Sequence, residues 1–218
     1  MTTKVIDTPQ KLLATVRETG LLPFFRCGIE GLSVEERVVP GMLFADMDGG
    51  MGAWDWKGPV IREMECTYGK FFHRKAGFVS LDLLPDFLNE RRGGMGRNLT
   101  EADMAILRMI RDAESMTAPE LRRELFGSSR RKGQSVESNL TRLQMAGYLV
   151  IADFEYNYTR LGDRYGWGRA RYTTPEALFG SDIARTGRTR DQSFERLLAE
   201  LSSRNPGAPC LALSRLIA

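Results

Sequence analysis

Ser135-Val136-Glu137-Ser138-Asn139-Leu140-Thr141-Arg142-Leu143-Gln144-Met145-Ala146-Gly147-Tyr148-Leu149-Val150-Ile151-Ala152 reads as an amphipathic helix that passes directly into a β-strand. Ser135 is a hydroxyl N-cap, a residue type that accepts a hydrogen bond from an otherwise unpaired amide of the first turn. Behind it Val136, Leu140 and Leu143 recur at intervals of four and three, which lines one helix face, while Glu137, Asn139, Arg142 and Gln144 point elsewhere. Gly147 suits the left-handed conformation that ends helices. Tyr148 to Ala152, rich in β-branched and aromatic side chains, then predicts a strand.

The flanking sequence extends this pattern. Thr100 stands three residues before Asp103, and Met104, Leu107 and Ile110 form an apolar stripe, so a helix is expected that ends near Glu114. Thr117 repeats the cap with Pro119 and Glu120 in the opening turn, and Leu121 and Leu125 predict a second, shorter helix before Gly127. A second strand is expected over Arg169 to Thr173, with the glycine-containing segment from Asn157 to Gly168 as the turn. The order helix, helix, helix, strand, turn, strand between Leu99 and Thr174 resembles the winged helix-turn-helix of DNA-binding proteins, whose last helix lies in the major groove.

That resemblance implies double-stranded DNA as partner, and the placement of charge agrees. Between Pro119 and Arg171 ten Lys and Arg stand against six Asp and Glu. Arg130, Arg131 and Lys132 precede the third helix, where a basic turn meets a phosphate strand. Ser138, Asn139 and Arg142 are the candidate base-edge readers, since Asn suits adenine and Arg suits guanine. Arg160, Arg164 and Arg169 belong to the hairpin, within reach of backbone or minor groove. Lys70, Arg74 and Lys75 are further candidate phosphate contacts from the N-terminal region. The hairpin aromatics Tyr156, Tyr158, Tyr165 and Trp167 are expected to pack rather than to stack on bases.

Composition removes several function classes. The 218 residues carry a net charge of +3, a mild basic bias. Cys27, Cys66 and Cys210 form no CxxC and are expected as reduced thiols. His73 is the single histidine, so no zinc site of several His ligands is available. Asp46 and Asp48 beside Gly49 and Gly50 form a spaced acidic pair, but the pattern is too short for a calcium loop and is expected as an exposed turn. No metal or cofactor is expected. No apolar run is long enough to span a bilayer, and the start lacks the regions of a signal peptide, which predicts a cytoplasmic protein without a membrane partner.

The fold class expected is mostly α with small β-hairpins, an α+β chain with more than one winged-helix-like unit. Residues 1–98 are expected as an aromatic-rich domain, itself a diverged winged-helix-like unit. A winged helix-turn-helix follows at 99–175, and a C-terminal extension with a packing helix at 176–218. Glu90 to Asn98, with three glycines and three arginines, reads as the linker or exposed turn between the first two. The helix over Ser193 to Leu201 can cover either domain. A homodimer is left open, since no heptad seam is visible.

Trp54-Asp55-Trp56-Lys57 with Val60-Ile61-Arg62-Glu63, then Tyr68-Gly69-Lys70 with Ala76-Gly77-Phe78, and Pro85-Asp86-Phe87 ahead of Arg91-Arg92, resemble the AlkZ-related proteins. These are relatives of the AlkZ/YcaQ winged-helix DNA glycosylases. The resemblance implies winged-helix units that grip duplex DNA. It does not carry catalysis, because those glycosylases use a Gln-x-Gln motif and Gln10, Gln134, Gln144 and Gln192 never fall two apart. The expectation is therefore a DNA-binding protein of regulatory or repair-associated type, leaning away from enzyme activity, with no catalytic residue. A lesion glycosylase with a substituted motif and a winged-helix protein-interaction module are the alternatives.

Overall fold

The computed structural model describes residues 5–44, 50–127, 136–162 and 164–218. Ser135, Asp46 and Asp48 lie outside them. The chain is a mixed α+β protein with two three-stranded antiparallel sheets.

The C-terminal sheet unit follows the sequence pattern closely at its caps. Helix α5 (Glu101–Asp112) starts on a full capping box: Asp103 N donates to Thr100 Oγ1 at 3.2 Å and Thr100 N donates to Asp103 Oδ2 at 2.8 Å. Its buried stripe is Ile106, Leu107 and Ile110, whereas Met104 is exposed. Helix α6 (Ala118–Phe126) starts on the same motif between Thr117 and Glu120. Helix α7 (Val136–Met145) buries Val136, Leu140 and Leu143 and stops at Gly147, whose φ of +74° turns the chain toward the sheet.

The sheet differs from expectation in extent. Strands β5 (Val150–Tyr158) and β6 (Arg164–Thr173) are nine and ten residues long. Gly166 and Gly168 therefore lie in β6 and not in the turn. Gly168 serves packing: a Cβ there would sit 2.6 Å from the Tyr156 ring. Strand β4 (Ser115–Thr117), unforeseen in the sequence, pairs with β6 from Ser115 opposite Thr173 to Thr117 opposite Arg171, giving the order β4-β6-β5.

The N-terminal region repeats this order of elements. Helix α1 (Pro9–Thr19), strand β1 (Leu21–Pro23), helices α2 (Val34–Arg37) and α3 (Ala53–Arg62), and strands β2 (Cys66–Phe72) and β3 (Lys75–Ser80) form a sheet ordered β1-β3-β2. Gly69 and Gly77 face each other across β2 and β3. Both positions are closed to a side chain, since a Cβ on Gly77 would lie 2.5 Å from the Phe72 ring and 2.7 Å from the Leu22 carbonyl oxygen. The glycines let Phe71 and Phe72 fold over the sheet.

The two units pack reciprocally. Helix α7 lies on β2, α3 lies on β5, and β2 meets β5 between them. One buried cluster draws on both units, joining Ile6, Leu12, Trp56 and Tyr68 to Ile151 and Phe154. Lys70 N donates to Gln144 Oε1 at 3.0 Å, and Arg62 pairs with Asp153 at 2.7 Å.

Glu90 to Asn98 is not a loose linker. Helix α4 (Leu84–Gly93) runs through Glu90 and Arg91, both buried, and a 3-10 turn (Met95–Asn98) closes the segment. Two of the three arginines are held, while Arg97 is exposed: Arg91 donates to the Leu216 carbonyl at 2.8 Å and Arg92 to Glu176 at 2.5 and 3.1 Å. After α8 (Pro175–Phe179) come α9 (Arg190–Arg204) and α10 (Cys210–Ile217). Helix α9 covers the first unit. Leu197 and Leu201 join Leu21, Phe71, Val79 and Phe87 in a second buried cluster. Its polar attachment is specific: buried Asp86 accepts from Ser193 Oγ at 2.7 Å and from Arg188 and Arg196, while Glu90 receives two bonds from Arg190 at 3.0 and 2.7 Å. No helix among the described residues is long and apolar enough to cross a membrane.

Candidate nucleic-acid interface

Strands β2 and β3 are joined by only two residues, His73 and Arg74, with φ of +48° and +67°. Positive φ at both positions is the geometry that matches the right-handed strand twist, and it is ordinarily supplied by Asn-Gly. Here two bulky side chains occupy it, so Arg74 stands exposed at the hairpin tip. Across from it lies α7. Arg74, Met95, Ser138, Thr141, Arg142 and Met145 line a shallow depression of about 260 Å³.

The α7 strip facing this depression is narrow. Ser138 and Arg142 are exposed, with Glu137 beside them paired to Arg122. Asn139 is not part of the strip: it is 4% exposed, and its amide donates to Asp103 Oδ1 at 2.8 Å. Base reading would need this amide in solvent, and its burial leaves almost none of its surface there. Arg142 donates to Asp103 Oδ2 at 2.6 Å and keeps 43% of its side chain in solvent. Burial alone would raise the Asp103 carboxyl, but bonds from the Thr100 amide, Asn139, the Thr100 hydroxyl and Arg142 outweigh it and hold it below its ordinary value. The carboxylate thus fixes the position of Arg142 at the rim.

Lys70 is exposed on β2, with its backbone tied to α7 through Gln144. Lys75 is exposed as well, and its ammonium donates to the Arg26 carbonyl at 3.4 Å. Lys70, Arg74, Ser138 and Arg142 are therefore drawn from two units to the contact of β2 with α7. The hairpin arginines stand on β5 and β6. Arg160 is exposed in the turn, Arg169 is exposed and donates to Asn157 Oδ1 at 3.2 Å, and Arg164 opens β6 opposite Tyr158. Arg130, Arg131 and Lys132 lie outside the described residues.

The hairpin aromatics divide in a way the sequence did not predict. Tyr156 packs against the shared core, but Tyr158 and Trp167 are 61% and 68% exposed. Tyr158 therefore departs from the expected packing, whereas Trp167 keeps it in part, with its ring edge to face against Trp54 at 5.9 Å. The three cysteines are free thiols, and burial pushes Cys66 up to about 12, which keeps it protonated and inert.

No significant match to a curated protein or to a solved structure accompanies this geometry. The family model described as AlkZ related matches residues 6–218, through both sheet units and the C-terminal helices, and the chain belongs to that family.

Proposed function

We propose that this chain is a DNA-binding protein made of two winged-helix-like units, without catalytic activity, that holds duplex DNA chiefly by its phosphates. Its order of elements, α-β-α-α-β-β with a sheet ordered first, third, second strand, occurs twice and supports the winged-helix reading of both units. Membership of the AlkZ-related family supports DNA as the partner. The observation that carries the proposal is the meeting of Arg74, Ser138 and Arg142 around one open depression, with Lys70 beside it.

The grip inferred differs from insertion of a recognition helix. Helix α7 spends Asn139 and Gln144 inside the protein and its exposed Glu137 is an acid paired to Arg122, so Ser138 and Arg142 are the exposed polar residues it offers to DNA. Contacts from Lys70, Arg74, Lys75 and Arg142, joined by Arg160, Arg164 and Arg169 of the hairpin and by Arg130, Arg131 and Lys132, neutralise phosphates and release counterions. Affinity then falls steeply with salt. Arg74→Ala is expected to weaken binding to every duplex alike and to flatten the salt slope by about one phosphate equivalent, measured by fluorescence anisotropy on labelled duplexes. Absence of duplex binding at about 50 mM salt would sink the proposal. Incubation with alkylated duplex is expected to yield no abasic sites.

A further inference from the structure

We infer that Trp167, backed by Trp54 and Phe44, is a stacking platform for an unpaired nucleobase. Three rings meet where the β5–β6 hairpin reaches the start of α3, Trp167 standing edge to face with the other two. Trp54 and Trp167 lie 5.9 Å apart at 88°, and Phe44 lies 6.3 Å from Trp167 at 86° and 5.9 Å from Trp54. Behind them Trp54 packs on Phe24 at 5.1 Å, which ties the group to the buried core. The rings touch one another, so no cage is left between them for a small cation. What they present is a rigid outer surface: Trp167 is 68% and Phe44 is 51% exposed.

A large aromatic surface held in water by a packed base is unusual without a partner. The charge around it selects the partner. From Asn157 to Arg169 the hairpin carries three arginines and one acid by sequence, Arg171 beyond them being paired to Glu155 and Glu120. Arg160 and Arg169 are exposed within it. Aromatic faces interleaved with arginines match a polyanion that offers flat π-surfaces, which is single-stranded nucleic acid. Bases in a duplex are already stacked on one another, so the preferred ligand has at least one base free. This inference goes beyond the duplex grip: it shares the hairpin arginines Arg160 and Arg169 with that grip but none of its residues on β2, β3 or α7.

The test uses the full chain and a labelled oligothymidylate of about 12 nucleotides, a length within the usual site size. An abasic strand of equal length and charge serves as comparison. Binding is expected to quench tryptophan fluorescence, to favour the thymidylate over the abasic strand, and to weaken on the order of tenfold in Trp167→Ala while Trp167→Tyr retains it. Trp167 is exposed, and an unchanged urea midpoint shows that the variant folds. Equal affinity for the abasic strand, no effect of Trp167→Ala, or no binding of thymidylate overturns the inference. A concentration-dependent dimer abolished by Trp167→Ala also overturns it, assigning the surface to a second copy of the chain. Duplex affinity, measured in parallel, is expected to respond to Arg74→Ala and not to Trp167→Ala, so the failure of either reading leaves the other standing.

Discussion

Gly77 shows how one absent side chain governs the first sheet. Its hypothetical Cβ meets not only the Phe72 ring but also the Leu22 carbonyl oxygen at 2.7 Å, and that oxygen belongs to the paired backbone of β1. Gly69 differs, for its nearest neighbour is the Phe71 ring alone, at 2.7 Å. Gly77→Ala is therefore expected to cost about 2–3 kcal/mol, and Gly69→Ala less, because a ring can turn where a ladder cannot slide. Urea unfolding of the two variants measures the difference, and equal losses would contradict the assignment. At this scale the sequence was informative about caps and uninformative about partners. Thr100 and Thr117 were legible because cap and acceptor lie three residues apart. Asn139 was not, since the carboxylate that consumes it stands 36 positions away, on α5.

The β2–β3 hairpin carries a conflict between stability and exposure. A two-residue turn with positive φ at both positions favours Asn-Gly, yet His73 and Arg74 occupy it. Each non-glycine residue in that region costs roughly 1 kcal/mol. His73→Asn with Arg74→Gly is thus expected to raise stability by about 1–2 kcal/mol and, under the proposed duplex grip, to weaken duplex binding. Thermal melts paired with anisotropy read both effects, and a double variant that binds as the parent would remove Arg74 from the interface. The same scale explains which elements escaped the sequence. Strand β4 has three residues, too few for alternation to register. Strand β6 was foreshortened because Gly166 and Gly168 look like turn residues, although Gly168 makes room for Tyr156.

In the whole molecule several carboxylates are held below their ordinary values by the contacts that join elements. At Glu120 the leading cause is the bond from the Thr117 amide, followed by the Thr117 hydroxyl and Arg171 against the opposing effect of burial. At Asp103 and Glu176 burial works the other way and is outweighed, by the Thr100 amide at one and by Arg92 at the other. A carboxyl depressed in the folded state stabilises fully above its unfolded value, 3.8 for Asp and 4.5 for Glu, and loses that contribution as pH falls through the lower folded value. Stability is expected to be insensitive to these groups near neutrality and to decline below about pH 4. Asp103→Asn should shift that acid limb while Glu195→Gln, outside these contacts, should not, and urea midpoints recorded against pH decide it. The reciprocal docking of the two units was beyond the reach of the sequence, because periodicity marks an apolar face without naming what covers it.

Helix α9 has a consequence for biosynthesis. Leu197 and Leu201 share a cluster with Leu21, Phe71 and Val79, so the earliest sheet cannot close its interior until the polypeptide is nearly all translated. At typical ribosomal speeds the wait between Ser80 and Leu201 is on the order of ten seconds, during which oily strands face solvent or a chaperone. Truncation before α9 should therefore yield aggregates rather than an autonomous N-terminal domain.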